Sequence, residues 1–153
     1  MKKIPVTGED VAEFGKMVKK INFFSAMNMG LLEKILDRIN LYQYFKGEKV
    51  CRQGDEGDSF YVVRDGRLKV SVREGFVFSK TLAHLVPEDC FGEMALLNRA
   101  RRNATVTCEE DTRLFVLLAD SFDQVLAENP AFAEEIKRLA AERGFELGRN
   151  RPG

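Results

Sequence analysis

The chain of 153 residues has no tryptophan, one histidine and three widely spaced cysteines. A single histidine and the absence of a Cys-X-X-Cys pair disfavour a zinc site or a metal-dependent hydrolase, so we assign no metal ligands. Cys51, Cys90 and Cys108 indicate free thiols in a reducing compartment rather than a disulfide framework. The longest apolar run, Leu114 to Ala119, has six residues, which is far too short to cross a bilayer.

Net charge is missing as well, because 24 basic residues balance 24 acidic ones. Without a bulk positive field we expect neither nucleic acid nor a membrane as a partner. The N-terminus lacks the apolar segment of a signal peptide, so we expect a cytoplasmic protein. The sequence contains no nucleophile elbow and no Walker motif, and we therefore expect no catalytic residues and no enzymatic activity.

The hydrophobic period divides the chain into three parts. Residues 1–41 are predicted to be helical: Thr7 can cap a helix that has Asp10 three residues on, and Phe14 and Val18 follow at helical spacing. A second helix in this part is indicated by Leu32, Ile35, Leu36 and Ile39.

Over residues 42–118 the period changes to two. Leu68, Val70 and Val72 alternate with polar residues, while Phe60–Val63 and Leu114–Leu118 are denser apolar runs. Glycine and aspartate turns separate these runs. The pattern predicts an α+β fold with an antiparallel β-roll, a double-stranded jelly roll of about eight strands, flanked by N-terminal and C-terminal helices.

Residues 119–148 return to the helical period. Ser121 to Glu128 can form a short helix, after which Asn129 suits a helix cap and Pro130 the first helical position. The apolar stripe of this last helix is predicted to be Phe132, Ile136, Leu139 and Ala140.

The stretch from Phe91 to Val106, FGEMALLNRARRNATV, carries the most chemistry. Gly92 permits an unusual backbone angle, and the residues after it can form a short helix whose first amides favour an anion. Arg102, ten residues after Gly92, offers a charged planar fork for phosphate oxygens. Glu93 can accept a hydrogen bond from a sugar hydroxyl. These groups suit a ligand that carries both a sugar hydroxyl and a singly charged phosphate.

This stretch resembles the phosphate-binding cassette (91–106) of cyclic nucleotide-binding domains, the family of cAMP-dependent kinase regulatory subunits, nucleotide-gated channels and the bacterial catabolite activator protein. Gly47 to Val63 and Gly66 to Val70 are similar to the family as well, and the resemblance extends over roughly Phe23 to Leu139. It implies one domain, in which residues 1–41 are an N-terminal helical segment, 42–118 the roll with its cassette, and 119–148 hinge and lid helices.

The resemblance also implies roles for individual residues. Glu93 would hold the ribose 2′-OH, and Arg102 would pair with the cyclic phosphate beside the backbone amides of Gly92 and Ala95. The implied nucleotide-binding set is Gly92, Glu93, Met94, Ala95, Arg102, Asn103 and Ala104. The base would lie against Val70, Ala83 and Leu85, with Arg138 or Leu139 as a lid.

The implied function is a regulatory module that binds cAMP in preference to cGMP, needs no further cofactor, and switches an effector protein by rearranging its C-terminal helix. The alternative is a degenerate jelly roll that acts by protein–protein contact without nucleotide. In that case the N-terminal helix, with Val11, Phe14 and Val18, would dock a partner or a second copy in a homodimer.

Other features have a plain structural interpretation. Gly54 to Asp58 lacks the spacing of a calcium loop and predicts a hairpin turn. Arg99 and Arg101 are expected to be solvated neighbours of Arg102 rather than part of a nucleic-acid patch, since no aromatics are interleaved with them. His84 is predicted to be structural or exposed, and Cys90 a small buried filler.

Overall fold

The computed structural model describes residues 1–21, 24, 29–75, 78–92, 95–96, 99–134 and 136–138. Within these residues, helices are delimited as α1 (Gly8–Val18), α2 (Met29–Leu36) and α3 (Ala119–Glu128), and residues 130–134 and 136–138 form a C-terminal helical segment. The same residues contain nine strands: β1 (Lys2–Ile4), β2 (Asn40–Tyr44), β3 (Lys49–Cys51), β4 (Ser59–Asp65), β5 (Leu68–Glu74), β6 (Phe78–Leu85), β7 (Cys90–Phe91), β8 (Thr105–Cys108) and β9 (Thr112–Leu118).

The strands form two antiparallel sheets that face each other across an apolar interior. Sheet A has the order β1-β2-β9-β4-β7, and sheet B has the order β3-β8-β5-β6. Strands that are distant in sequence, such as β2 and β9, are neighbours in the sheet, as in a jelly roll. The predicted α+β jelly roll with flanking helices is therefore confirmed.

The first strand shows that the prediction of a wholly helical segment over residues 1–41 is wrong. β1 pairs with β2 at the edge of sheet A, with Lys3 opposite Tyr42. Its three residues are too few to display an alternation. The N-terminal ammonium, next to β1, contacts both carboxylate oxygens of Glu48 at 2.8 and 2.9 Å, which holds the start of the chain against the turn between β2 and β3.

Helix α1 begins at the predicted cap. The Asp10 amide donates to the Thr7 hydroxyl at 3.2 Å, and the Thr7 amide donates to the Asp10 carboxylate at 2.9 Å, which is the reciprocal pattern of a capping box. Phe14 and Val18 are 1% and 0% exposed in the protein's own core. The hypothesis that this apolar face docks a partner is therefore wrong for these two residues, because sheet A already covers them.

Strands β4 and β9 consist of nearly continuous apolar residues because both faces of each strand are buried. Phe60 and Val62 point towards the helices, whereas Tyr61 and Val63 point into the roll. Such a sheet wall needs hydrophobic side chains at successive positions, not at alternate ones. The side of sheet A that faces the helices carries the outer cluster, which includes Phe14, Phe60, Phe115 and Phe122, and the interior of the roll carries the inner cluster, which includes Tyr44, Tyr61, Val70, Phe91 and Val106.

The helical ends differ slightly from the predicted ones. Helix α2 ends at Leu36, and Ile39 lies beyond it although its side chain is buried. Helix α3 begins at Ala119, two residues before the predicted start. Phe132 and Ile136 join the outer cluster as predicted, while Leu139, Ala140 and the rest of 139–153 lie outside the described residues. Among the residues that are described, no helix is long and apolar enough to cross a membrane.

Candidate functional site

Gly92 follows β7 in a backbone conformation that favours glycine. Its φ is 84°, a left-handed angle that costs other residues roughly 1–2 kcal/mol. A Cβ at this position would fall against Nη1 of Arg102 and within 2.8 Å of the Ser59 carbonyl oxygen. The glycine therefore lets the turn, the start of β4 and Arg102 approach one another. Glu93 and Met94, which come next in the predicted site, lie outside the described residues.

The Arg102 guanidinium is buried at the end of the roll. The residue is 3% exposed, Nη2 donates to the Ser59 carbonyl at 2.6 Å, and Cζ lies 5.7 Å from the centre of the Tyr61 ring. That ring is itself stacked on Phe91, with centroids 4.7 Å apart. Arg102, the residue predicted to bind the phosphate, thus places a permanently charged guanidinium against aromatic and backbone groups of the inner cluster.

The backbone of Arg102 is held by the glycine-rich loop between β3 and β4. Its amide donates to the Asp55 carbonyl at 2.7 Å, and its carbonyl accepts from the Gly54 amide at 2.7 Å. Gly57 donates to the Ala100 carbonyl at 3.1 Å. Within the described residues no group of acidic, histidine or cysteine side chains could hold a metal ion. The loop joins β3 of sheet B to β4 of sheet A, so the predicted hairpin turn is wrong, and the loop backbone holds Arg102 in place.

The three neighbouring arginines have three different environments. Arg99 contacts Asp120 and Asp123 of α3 at 2.8 and 2.7 Å, and Arg101 donates to the Gly54 carbonyl at 2.9 Å. Only Arg102 is buried. They do not make one basic surface. The prediction that Arg99 is merely solvated is therefore wrong, because its side chain ties the middle of the cassette to helix α3, a link that spacing in the sequence does not reveal.

The backbone amide of Ala95 differs from its predicted role. It donates to the Gly92 carbonyl at 3.0 Å and closes the turn that Gly92 begins. The expectation that this amide points outward, unsatisfied, is therefore wrong for the structure as it stands. The Ala95 side chain is buried, as is that of Ala104, whereas Asn103 between Arg102 and Ala104 is exposed.

The residues predicted to line the base lie together on the inner face of sheet B. Val70 pairs with Ala83 across the β5–β6 hairpin, and Leu68 pairs with Leu85. Val70 is 1% exposed, and Ala83 and Leu85 are half-buried against the inner cluster. The structure thus brings these three residues together. Arg138, the predicted lid, is exposed on the C-terminal segment, and Leu139 lies outside the described residues.

The phenol and the thiol beside Arg102 are uncharged at neutral pH, whereas the carboxylates of Asp55 and Asp58 line the same cleft as Arg102. Burial raises the pKa of Tyr61 to about 12, although the nearby Arg102 charge opposes the shift. Burial also raises the pKa of the Cys51 thiol. The site-forming roles of Ser59 and Tyr61 are missed by the sequence reasoning, because their contribution depends on the carbonyl and ring that they turn towards Arg102.

Two other predicted side chains are placed plainly. His84 is exposed on β6, with Nδ1 2.6 Å from the Glu109 carboxylate. Cys90 is half-buried at the edge of the outer cluster, so it fills space there as predicted but less deeply. Cys51 and Cys108 are free and buried.

Comparison with known proteins identifies the class. The model of the cyclic nucleotide-binding domain matches residues 42–129, and the chain belongs to that family. It is 29% identical over 136 residues to the cyclic nucleotide-gated cation channel of Ictalurus punctatus, a match that spans 85% of this chain and 19% of the channel. It is 30% identical over 125 residues to the cAMP-dependent protein kinase type II regulatory subunit of Drosophila melanogaster, spanning 82% of this chain and 32% of that subunit.

Solved structures show the same fold. The cAMP-bound structure of PfPKA-R (141-441) superimposes with a TM-score of 0.78 at 25% identity, over 93% of this chain and 47% of that one. The N-terminal domain of a transcriptional regulator from Streptomyces coelicolor A3(2) gives a TM-score of 0.75 at 22% identity, over 87% and 93%. The chain is therefore a cyclic nucleotide-binding regulatory domain like those of channels and kinase regulatory subunits, and it spans only a fifth to a third of those curated relatives.

Proposed function

We propose that this chain binds a 3′,5′-cyclic nucleotide, with cAMP favoured over cGMP, and that binding switches an effector protein through the C-terminal helical segment. The observation that carries the proposal is the buried Arg102 guanidinium between Gly92, the Ser59 carbonyl and the Tyr61 ring. An exposed salt bridge between an arginine and a carboxylate would contribute only about 0–1 kcal/mol to stability. A buried fork instead suits a ligand anion that arrives with its own charge.

The phosphate and ribose are assigned to the cassette. A cyclic phosphate beside Arg102 would receive charge-assisted hydrogen bonds in a water-poor site, where such bonds are strong. Glu93, next to Gly92 in the sequence, would accept from the 2′-OH. Asn103 and Ala104 continue the cassette into β8, and their amides complete the proposed phosphate end. The Ala95 amide would join it only if the nucleotide opened its hydrogen bond to Gly92.

The base is assigned to the inner face of the β5–β6 hairpin. Val70, Ala83 and Leu85 offer an apolar wall that continues the inner cluster, and a purine gains free energy from burial against such a wall. Arg138 or Leu139 would close over the base from the C-terminal segment. The preference for cAMP is supported by the cAMP in the similar PfPKA-R structure.

The output is assigned to the link between the cassette and α3. Arg99 joins the middle of the cassette to Asp120 and Asp123. Helix α3 then leads through Asn129 into the segment that carries Phe132 and Ile136. A cassette that tightens around a phosphate would therefore displace α3 and the segment after it. Such an element responds to a ligand by its differential affinity for two arrangements.

Isothermal titration calorimetry of the whole chain with cAMP, cGMP and 5′-AMP tests the binding. We expect cAMP to bind more tightly than cGMP, and 5′-AMP to bind least because its open phosphate lacks the cyclic geometry. Tighter binding of cGMP would overturn the assigned base preference. No heat and no rise in melting temperature at millimolar cAMP or cGMP would overturn the whole proposal and favour a domain that acts without nucleotide.

A tryptophan reporter tests the switch separately. The chain has no tryptophan, so Lys137→Trp, at an exposed position of the C-terminal segment, places a single fluorophore there. We expect saturating cAMP to change its emission, while a matched reporter on α1, Lys16→Trp, stays unchanged. Binding by calorimetry without any change at position 137 would refute the helix switch but leave the binding proposal standing.

A further inference from the structure

The outer face of sheet B carries a groove with a volume of about 800 Å³. We call it the basic groove, and define it by Lys49, Arg52, Lys69 and Arg73 with the hydroxyl groups of Thr105 and Thr107. None of the described residues that line the groove is acidic. Four positive charges are thus collected on one face of a chain whose net charge is zero.

The basic side chains of the groove lack ion-pair partners among the residues that the structure describes. Outside the groove, other described arginines each form an ion pair with a carboxylate, among them Arg67, Arg99 and Arg113. Like charges that share a groove repel one another, and an anion bound among them would relieve the repulsion. The groove therefore differs from an ordinary mixed-charge surface.

The register of the strands fixes how the charges are spaced. Lys49 and Lys69 both pair with Thr107, one from each side, so they stand in one row two strand spacings, or about 10 Å, apart. Arg73 lies four residues beyond Lys69 on β5 and on the same face, about 13 Å along the strand. An extended peptide advances by the same amount over four residues. Carboxylates at alternate positions of such a peptide would match Lys69 and Arg73.

We propose that the basic groove is the docking site for an extended acidic segment of a partner protein. Among the residues that the structure describes, the lining has no aromatic side chain, whereas single-stranded nucleic acid is held by base stacking on aromatics as well as by charge. A concave groove also does not conform to a flat lipid surface. The groove lies on the opposite face of sheet B from the proposed base wall, with Lys49 shared between the groove and the cleft beside Arg102, and the proposal holds whether or not nucleotide binds.

A second copy of this chain is a poor occupant. Its own acidic residues Glu48, Asp55, Glu56 and Asp58 line a cleft of about 520 Å³ that also contains Lys49 and Arg102, and this cleft is concave like the groove. Two concave surfaces cannot enter each other. Glu48 is also held by the N-terminal ammonium, and Asp55 accepts from the Arg52 amide.

The test is fluorescence anisotropy of the full chain with a labelled ten-residue peptide of alternating Glu and Ser, against a peptide of alternating Gln and Ser. We expect binding of the acidic peptide only, lost in 0.5 M salt because the contacts are screened. Lys69→Glu combined with Arg73→Glu should weaken binding at least about tenfold, since two attractive contacts become repulsive. Lys2→Glu combined with Lys3→Glu makes the same change in net charge on β1 and should leave binding within about twofold.

Melting temperatures of both double variants and titration with cAMP show that the fold is retained, and Lys69→Gln with Arg73→Gln serves if charge reversal unfolds the chain. Equal losses in the two double variants would overturn the proposal, as would no binding of the acidic peptide in 50 mM salt. Groove-dependent binding of a labelled twenty-nucleotide oligo-dT, or of phosphatidylserine vesicles, in preference to the peptide would overturn it in favour of those ligands. A doubling of molar mass by light scattering that the groove variant abolishes would assign the face to a second copy.

Discussion

The two hydrophobic clusters on either side of sheet A differ in the chemistry of their members. The outer cluster is built from apolar residues, with Phe14 edge-on to Phe115 at 5.1 Å and Phe24 stacked on Phe60 at 5.3 Å. The inner cluster includes Tyr44, Tyr61 and the thiols of Cys51 and Cys108, and ends at the Arg102 guanidinium. Sheet A thus separates the outer cluster, which stabilises the fold, from the inner cluster, whose polar groups include those beside Arg102.

The comparison teaches that β4 serves both layers through alternate residues. Phe60 belongs to the outer cluster, while Ser59 and Tyr61 contact Arg102 with a carbonyl and a ring. A change on the outer side should alter stability without altering affinity for nucleotide. A change beside Arg102 in the inner cluster should alter affinity for nucleotide more than it alters stability. If any substitution below changed stability and nucleotide affinity together, the two clusters would not be independent.

The largest expected effect is the loss of an aromatic ring from the outer cluster. Phe115→Ala removes a fully buried ring that packs on Phe14 and should lower the free energy of unfolding by about 3–5 kcal/mol. Phe45→Ala, at a side chain that is 44% exposed, should cost within about 0.5 kcal/mol. Urea denaturation measures both, and cAMP affinity of the folded Phe115 variant should stay within about twofold of the parent. A tenfold drop in affinity would show that the two layers are coupled.

The second effect is expected on affinity. Arg102→Ala removes the buried fork and should weaken cAMP binding by about 2–3 kcal/mol, the range for hydrogen bonds to a charged group. Arg101→Ala, one residue earlier, removes an exposed side chain that contacts the Gly54 carbonyl and should change affinity little. Calorimetry on both, with melting curves to check folding, decides the matter. Equal affinities in the two variants would refute the role of Arg102.

Arg99, Arg101 and Arg102 also show what the sequence predicts and where it stops. The cassette was identifiable because a glycine, a carboxylate and an arginine stand at a fixed spacing, and the strands because their period is two. Nothing in that spacing tells which arginine is buried. The answer depends on Gly54 and Asp55, about 47 residues earlier, whose backbone fixes Arg102 across the roll. Contacts between segments so distant in sequence arise from the sheet topology and not from local pattern.

The same limit applies to single elements. β1 has three residues and no pattern, and it exists because β2 offers a free edge. The Ala95 amide was expected to face a ligand, yet the turn at Gly92 uses it. By contrast, the Thr7 cap and the dense apolar runs of β4 and β9 were predicted correctly. A capping box and a strand that is buried on both faces each depend on residues that are close together in the sequence.

The third effect comes from the close approach at Gly92. Gly92→Ala places a Cβ against Arg102 Nη1 and the Ser59 carbonyl, so Arg102 must move and cAMP affinity should fall by on the order of 1–2 kcal/mol. Gly47→Ala is the matched control, because Gly47 has a φ of 89° and a Cβ there would meet nothing within 4 Å. Both variants carry the backbone strain of a left-handed angle, and Gly92→Ala should lose more stability because its Cβ also collides with the Ser59 carbonyl and with Arg102. If Gly47→Ala weakened cAMP binding equally, strain in general and not the displacement of Arg102 would be responsible.

The smallest effect concerns the second buried charge. Asp10 is 5% exposed at the edge of the outer cluster. Burial alone would raise the pKa of its carboxyl, but hydrogen bonds from Thr7 and Arg64 and the Arg64 charge outweigh burial and leave the pKa below its ordinary value. A carboxyl whose pKa is lowered on folding stabilises the protein above its unfolded pKa of about 4, and this contribution is lost as the pH falls further.

Asp10→Ala should therefore lower the free energy of unfolding by about 1 kcal/mol at pH 7, and the difference from the parent should shrink between pH 4 and pH 3. Glu9→Ala changes an exposed carboxylate in the same first turn of α1 and should have a smaller effect at every pH. Urea denaturation from pH 7 to pH 3 supplies the comparison. Because Asp10 is satisfied by Thr7 and Arg64 and lies outside the roll, cAMP affinity should be unchanged, whereas a loss comparable to that of Arg102→Ala would mean that both buried charges serve the ligand.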